Sequence, residues 1–124
     1  MPDIGDCLQQ VMANHGALGA SLIDYPSGST MGAIGRCPDG TGDHGATTTV
    51  QLISATIETA ALTTIGRPDR VEDIVVTADQ SYHLVHLAGG RFAFYVWLDR
   101  RMGNLAMTQR TLRSFDAALA GVEI

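Results

Sequence analysis

The chain has 124 residues, with thirteen acidic side chains set against eight arginines and no lysine, for a formal net charge of −5. That balance argues against a nucleic-acid or anionic-membrane partner, and the absence of lysine removes any Walker-type phosphate lysine, Schiff base or lysine general base. The length fits one domain, 1–124, with a core large enough to hold without disulfides or a structural metal.

Cys7 and Cys37 form no C-x-x-C pair, and Asp3 and Asp6 precede any apolar run, so no secretory leader is read and a reducing cytoplasm is the expected compartment. Asp3 has the character of an N-cap, with Asp6 near the positive helix end. Ile4, Leu8, Val11 and Met12 then follow at helical spacing and stop at Asn14-His15-Gly16. Two strand-like runs, 18–24 and 29–35, flank the turn Tyr25-Pro26-Ser27-Gly28 and predict a hairpin whose glycine-rich second strand is an edge.

Residues 36–45 read as a loop and 46–65 as a long helix, ended by Gly66-Arg67-Pro68-Asp69. Three strands then come in quick succession, 71–78, 81–88 and 91–99, turning at Asp79-Gln80 and Gly89-Gly90. In the last, Phe92, Phe94, Val96 and Leu98 share one face and Ala93, Tyr95 and Trp97 the other. An apolar pattern on both faces predicts a central strand in a sheet covered on both sides. Asn104 can cap a final helix with Leu105, Thr108, Leu112, Phe115 and Leu119 inward and Arg110, Arg113 and Asp116 outside. The order α-β-β-α-β-β-β-α predicts an α+β domain, a five-stranded antiparallel sheet with helices on both faces.

The helix at 46–65 carries one formal charge, Glu58. Val50, Ile53, Ile57, Ala60, Ala61 and Ile65 form the stripe expected to face the core. The opposite side, Leu52, Ala55, Thr56, Thr59, Leu62 and Thr63, is small or apolar where a solvent-facing helix would be charged. A second covering partner is therefore expected there. Seven threonines with Gln51, Ser54 and Glu58 make the segment too polar to span a membrane, so no direct membrane insertion is expected.

The element order, together with Gly16-Ala17-Leu18-Gly19-Ala20-Ser21-Leu22-Ile23-Asp24, the small-residue-rich second helix, and the run from Tyr82 through Leu98 into Gly103-Asn104-Leu105, resembles the roadblock/dynein-light-chain family, in particular its bacterial MglB-like members. The likeness covers nearly the whole chain. It implies a profilin-like domain with the first and last helices on one sheet face and the second helix on the other. It also implies a homodimer that packs second helices together and pairs third strands edge to edge. Family members are as a rule non-enzymatic regulators or scaffolds of small Ras-like GTPases, and a sensor kinase complex is a further partner class of that kind. The shared dimer and partner surface implied here comprises Thr48, Gln51, Leu52, Ala55, Thr56, Glu58, Thr59, Leu62 and Thr63 of the helix with Ile74 and Val76 of the strand. The loop 36–45 is longer and richer in glycine than the usual connection, and no arginine finger is assignable among Arg36, Arg67 and Arg70. A small-molecule sensor is the rival reading, since profilin-like sheets also occur in ligand-binding modules. It requires a cavity between sheet and helix, a space that Phe92, Phe94, Trp97 and Phe115 are expected to fill.

No catalytic, cofactor or metal site is expected. Gly40-Thr41-Gly42-Asp43-His44-Gly45 matches G-x-G-x-x-G, but Asp43 brings negative charge to the phosphate position and the flanking hairpins are antiparallel where a dinucleotide fold needs parallel strands. His83 and His86 are an odd number of positions apart on one strand and project to opposite faces. Asp39, Asp43 and His44 read as a solvated loop, Cys7 as a small core residue, and Tyr95 and Trp97 as core aromatics.

Overall fold

The strand at 92–99 organises the fold, because its alternation leaves apolar side chains on both sides and only a central position can bury both. In a computed structural model, which describes residues 3–36, 46–62, 70–88 and 90–120, the elements are α1 (Ile4–Met12), β1 (Ala17–Asp24), β2 (Ser29–Gly35), α2 (Ala46–Leu62), β3 (Asp73–Thr77), β4 (Ser81–Ala88), β5 (Phe92–Asp99), α3 (Leu105–Arg113) and α4 (Asp116–Ala120). The five strands form one sheet in the order β2-β1-β5-β4-β3, antiparallel throughout. The expected order, the central β5 and the β2 edge all match. Among the described residues no helix is long and apolar enough to cross a membrane.

The two faces carry separate cores. Phe92, Phe94, Val96 and Leu98 of β5 join Ala20 and Leu22 of β1, Leu84 and Ala88 of β4, Cys7, Leu8 and Val11 of α1, and Leu112, Phe115 and Leu119 from the C-terminal helices. On the other face Ala93 and Tyr95 join Ile23, Val85 and the α2 residues Ala46 and Ile53, with Trp97 packed alongside. α1, α3 and α4 therefore cover one face and α2 the other, as a two-faced sheet requires.

The glycines at the chain's first turn and before α3 have a steric cause. Gly16 has φ +85, and a Cβ built there would lie 2.4 Å from the Gly103 nitrogen. The entry to β1 and the exit from β5 thus approach closely enough for the Gly16 carbonyl to accept from the Asp99 N–H at 2.8 Å.

Four expectations need correcting. Asp3 holds the N-cap position with extended backbone, but its carboxylate accepts no capping bond. The third strand begins at Asp73, two residues after the expected start. The final helix divides at Ser114, where the side-chain hydroxyl donates to the Thr111 carbonyl and the Phe115 N–H to the Leu112 carbonyl, so Asp116 opens a separate short helix. Asp116, expected outside, is half-exposed, and its carboxylate reaches the buried His86 Nε2 at 2.7 Å.

A helix face and a sheet edge as the candidate interaction site

On α2, Ala46, Thr49 and Ile53 are buried and Val50, Leu52, Thr56 and Ala60 half-buried. Thr48, Gln51, Ala55, Glu58, Thr59, Ala61 and Leu62 are exposed. The inward stripe is therefore rotated toward the threonines relative to the sequence expectation. Ile57, expected inside, is 44% exposed, whereas Leu52 and Thr56, expected outside, pack partly against the sheet. Local hydrogen bonding makes the partial burial of Thr56 inexpensive. The Thr56 hydroxyl donates to the Leu52 carbonyl at 2.8 Å, which satisfies it within the helix. Thr59 does the same to Ala55 at 2.9 Å, from the exposed side.

The exposed side includes a stripe of Thr48, Gln51, Ala55, Glu58, Thr59 and Leu62, with Leu62 87% exposed. Thr63 lies outside the described residues, as do Cys37, Asp39, Ile65, Arg67 and the whole G-x-G-x-x-G segment 40–45. β3 pairs with β4 along one side only, and among the described residues no strand pairs with its other side. Its register opposes Ile74 to Val85 and Val76 to His83, which sets both on the sheet face that carries α2. Ile74 is half-buried and packs into the α2-side core; Val76 is 40% exposed, beyond the cover of the helix. The structure thus leaves six of the predicted helix residues exposed on the outer side of α2 and puts Val76 on the same sheet face at the open edge.

Beside Val76 runs a polar line that the sequence did not announce. His83 Nδ1 lies 2.7 Å from Tyr95 Oη, and its Nε2 lies 3.1 Å from Ser81 Oγ. Burial pulls the His83 imidazole below its ordinary range, so the neutral ring is favoured there. The signal was legible only in part: strand parity puts 81, 83 and 95 on one face, but their contact depends on the cross-strand pairing of His83 with Trp97.

His86 projects to the opposite face, as its spacing from His83 requires. It is 1% exposed, with Nδ1 2.5 Å from Asp73 Oδ1 and Nε2 2.7 Å from Asp116 Oδ1. Asp73 Oδ2 also accepts from Gln109 and Arg113, each at 3.1 Å. This network fastens the start of the edge strand to both C-terminal helices. A groove of about 550 Å³ passes it, lined by Tyr25, Ile57, Arg70, Leu87, Arg113 and Asp116 among others. The spaces between sheet and helices hold Phe92, Phe94 and Phe115, all buried, and half-buried Trp97.

At the hairpin end, Arg91 donates to Asp24 Oδ2 from Nε at 3.2 Å and Nη2 at 2.9 Å, which holds the Asp24 carboxyl below the usual carboxylate range. Burial, then Asp6 and Asp3, push the Cys7 thiol up, the reverse of what a nucleophilic cysteine needs.

No family model matches the chain, and no curated protein does. Solved structures match closely in shape. MglB of Myxococcus xanthus is 14% identical over 96% of this chain and 95% of its own, with a TM-score of 0.78. A Roadblock/LC7 domain from Streptomyces avermitilis is 21% identical over 96% and 92%, TM-score 0.76. The gliding protein MglB from Thermus thermophilus is 21% identical over 94% and 84%, TM-score 0.77. The chain has the roadblock/MglB fold.

Proposed function

We propose that this chain is a non-enzymatic cytoplasmic regulator or scaffold that pairs with a second copy through the outer stripe of α2 and the β3 edge, and that binds a small Ras-like GTPase at the surface so formed. The observation that carries the reading is the junction of an almost uncharged helix face, ending in Leu62 at 87% exposure, with an open strand edge exposing Val75 and Val76 at 38% and 40%. A β-branched edge of this kind is an aggregation hazard unless another strand pairs with it, and a two-fold axis perpendicular to the sheet at that edge pairs the two strands antiparallel and sets both α2 helices on the same face. The shared fold with MglB proteins supports the GTPase as partner class.

The test is GTP turnover by a small Ras-like GTPase encoded beside this chain, measured alone and with excess of this protein. A change in turnover, or co-elution of the two proteins when GTP is bound, supports the reading. Neither co-elution nor a rate change in any nucleotide state removes it.

A further inference from the structure

Half of the eight arginines fall between positions 100 and 113, a span without a single Asp or Glu, although the chain as a whole carries net charge −5. Two of the four are occupied within the fold. Arg100 donates to the Ala78 carbonyl at 3.1 Å and sits 6.0 Å above the Tyr82 ring, and Arg113 binds Asp73. The other two, Arg101 and Arg110, are exposed, and among the described residues neither meets a carboxylate. Asp99, the nearest acid in sequence, is turned to the backbone, accepting from the N–H groups of Arg101 and Met102 at 2.8 and 3.1 Å.

Between these arginines lie two exposed methionines, Met102 at 54% and Met107 at 49%, with exposed Ala106. On α3 the inward residues are Thr108 and Leu112, so Ala106, Met107 and Arg110 share the opposite side, with Arg110 four residues after Ala106 and three after Met107. Methionine and arginine are the residues enriched where protein surfaces are buried by a partner, and lysine, aspartate and glutamate those depleted there. Methionine also adapts its shape to varied apolar side chains.

We infer that the exposed side of α3, Ala106, Met107 and Arg110, together with Arg101 and Met102 of the turn that leads into it, is a docking surface for an acidic amphipathic segment of another protein, whose carboxylates meet Arg101 and Arg110 and whose apolar residues cover the methionines. Charge complementarity selects that occupant: Arg101 and Arg110 are exposed cations with no carboxylate partner among the described residues, and the chain's net charge of −5 disfavours nucleic acid. The ridge is on the sheet face opposite α2, so it stays open when α2 and β3 are covered, and it stands or falls independently of the proposed dimer and GTPase.

The test is fluorescence anisotropy with a labelled helical peptide of glutamate and leucine, alongside a control peptide with lysine at every glutamate position. The acidic peptide should bind the parent and weaken as salt is raised. Arg101→Glu with Arg110→Glu should weaken it by roughly tenfold or more, and Met107→Ser should weaken it without changing the salt dependence. Ala55→Arg, on the opposite face, should leave binding unchanged, and each variant should keep the parent's far-ultraviolet circular dichroism. Failure of the acidic peptide to bind, equal binding of the lysine peptide, or indifference to the double charge reversal overturns the proposal. So does association with phosphatidylserine vesicles in place of the peptide, or a salt-sensitive self-association that the double reversal abolishes, which would make a membrane or a second copy the occupant.

Discussion

Two isoleucines four residues apart on α2 separate the observed packing of that helix from the one its periodicity predicts. Ile53 is 2% exposed and belongs to the core under α2, whereas Ile57 is 44% exposed. Truncating a buried isoleucine to alanine costs the transfer free energy of the lost methyl and methylene groups plus a cavity term, so Ile53→Ala should cost about 3 kcal/mol. Ile57 has little more than half of its surface covered and leaves no enclosed cavity, so Ile57→Ala should cost on the order of 1 kcal/mol. A gap of ~2 kcal/mol corresponds to a Tm difference of roughly 8 °C for a chain of this size. Urea and thermal unfolding, followed by the fluorescence of the single tryptophan, Trp97, which packs in the same core, measure both variants, at matched protein concentration because association shifts apparent stability. Equal losses for the two variants, or a larger loss at Ile57, would refute the rotated packing and return the inward stripe to Val50, Ile57 and Ala61.

Other parts of the structure are open to equally simple tests. His86→Ala should destabilise by about 2 kcal/mol, since it empties a buried ring site and leaves Asp73 Oδ1 without its partner while Gln109 and Arg113 still hold Oδ2, and Asp116→Ala, at a half-exposed partner, should cost less than about 1 kcal/mol; chemical denaturation distinguishes the two. The Asn104 side chain accepts from the Met107 N–H at 3.0 Å, so Asn104→Ala should remove about 1 kcal/mol, read as a lowered Tm. The His83 ring should titrate below the ordinary histidine value of about 6.5 when followed by NMR. The sign for stability follows: with the folded-state value depressed, the contribution is intact above the ordinary value and falls as the unfolded state takes up protons below it. A His83→Phe variant should show less of that acid loss than the parent, and an equal loss in both would exclude His83 as its source.

The order of elements was legible because each strand of the sheet interior declares its cover. Alternation of large apolar groups on β5 required two cores and helices on both faces, while the division that sets α2 apart from α1 and α3 was implied by the family resemblance. The rotation of α2 was hidden because a count of apolar side chains treats threonine as polar, while a threonine whose hydroxyl is bonded to the preceding turn is partly buried at little cost. The break at Ser114 was hidden because Leu112, Phe115 and Leu119 keep helical spacing across it. The Asp73–His86–Asp116 network was beyond reach for a different reason: its members come from β3, β4 and α4, and only the completed sheet brings them together. For the candidate surface, periodicity placed Ala55, Thr59 and Leu62 outward, where the structure has them, and the family resemblance added Thr48, Gln51 and Glu58; periodicity also assigned Leu52 and Thr56 to the outer side, and the structure draws both partly under the helix.

The central claim is that the outer stripe of α2 and the edge of β3 join two copies of this chain. Size-exclusion chromatography with light scattering at roughly tens of micromolar protein tests it most directly, comparing the parent with Ala55→Arg, a substitution at the exposed centre of the stripe that leaves the core untouched. The account predicts the mass of two chains for the parent and of one folded chain for the variant. A parent that is strictly monomeric, or a variant that remains dimeric, would contradict it.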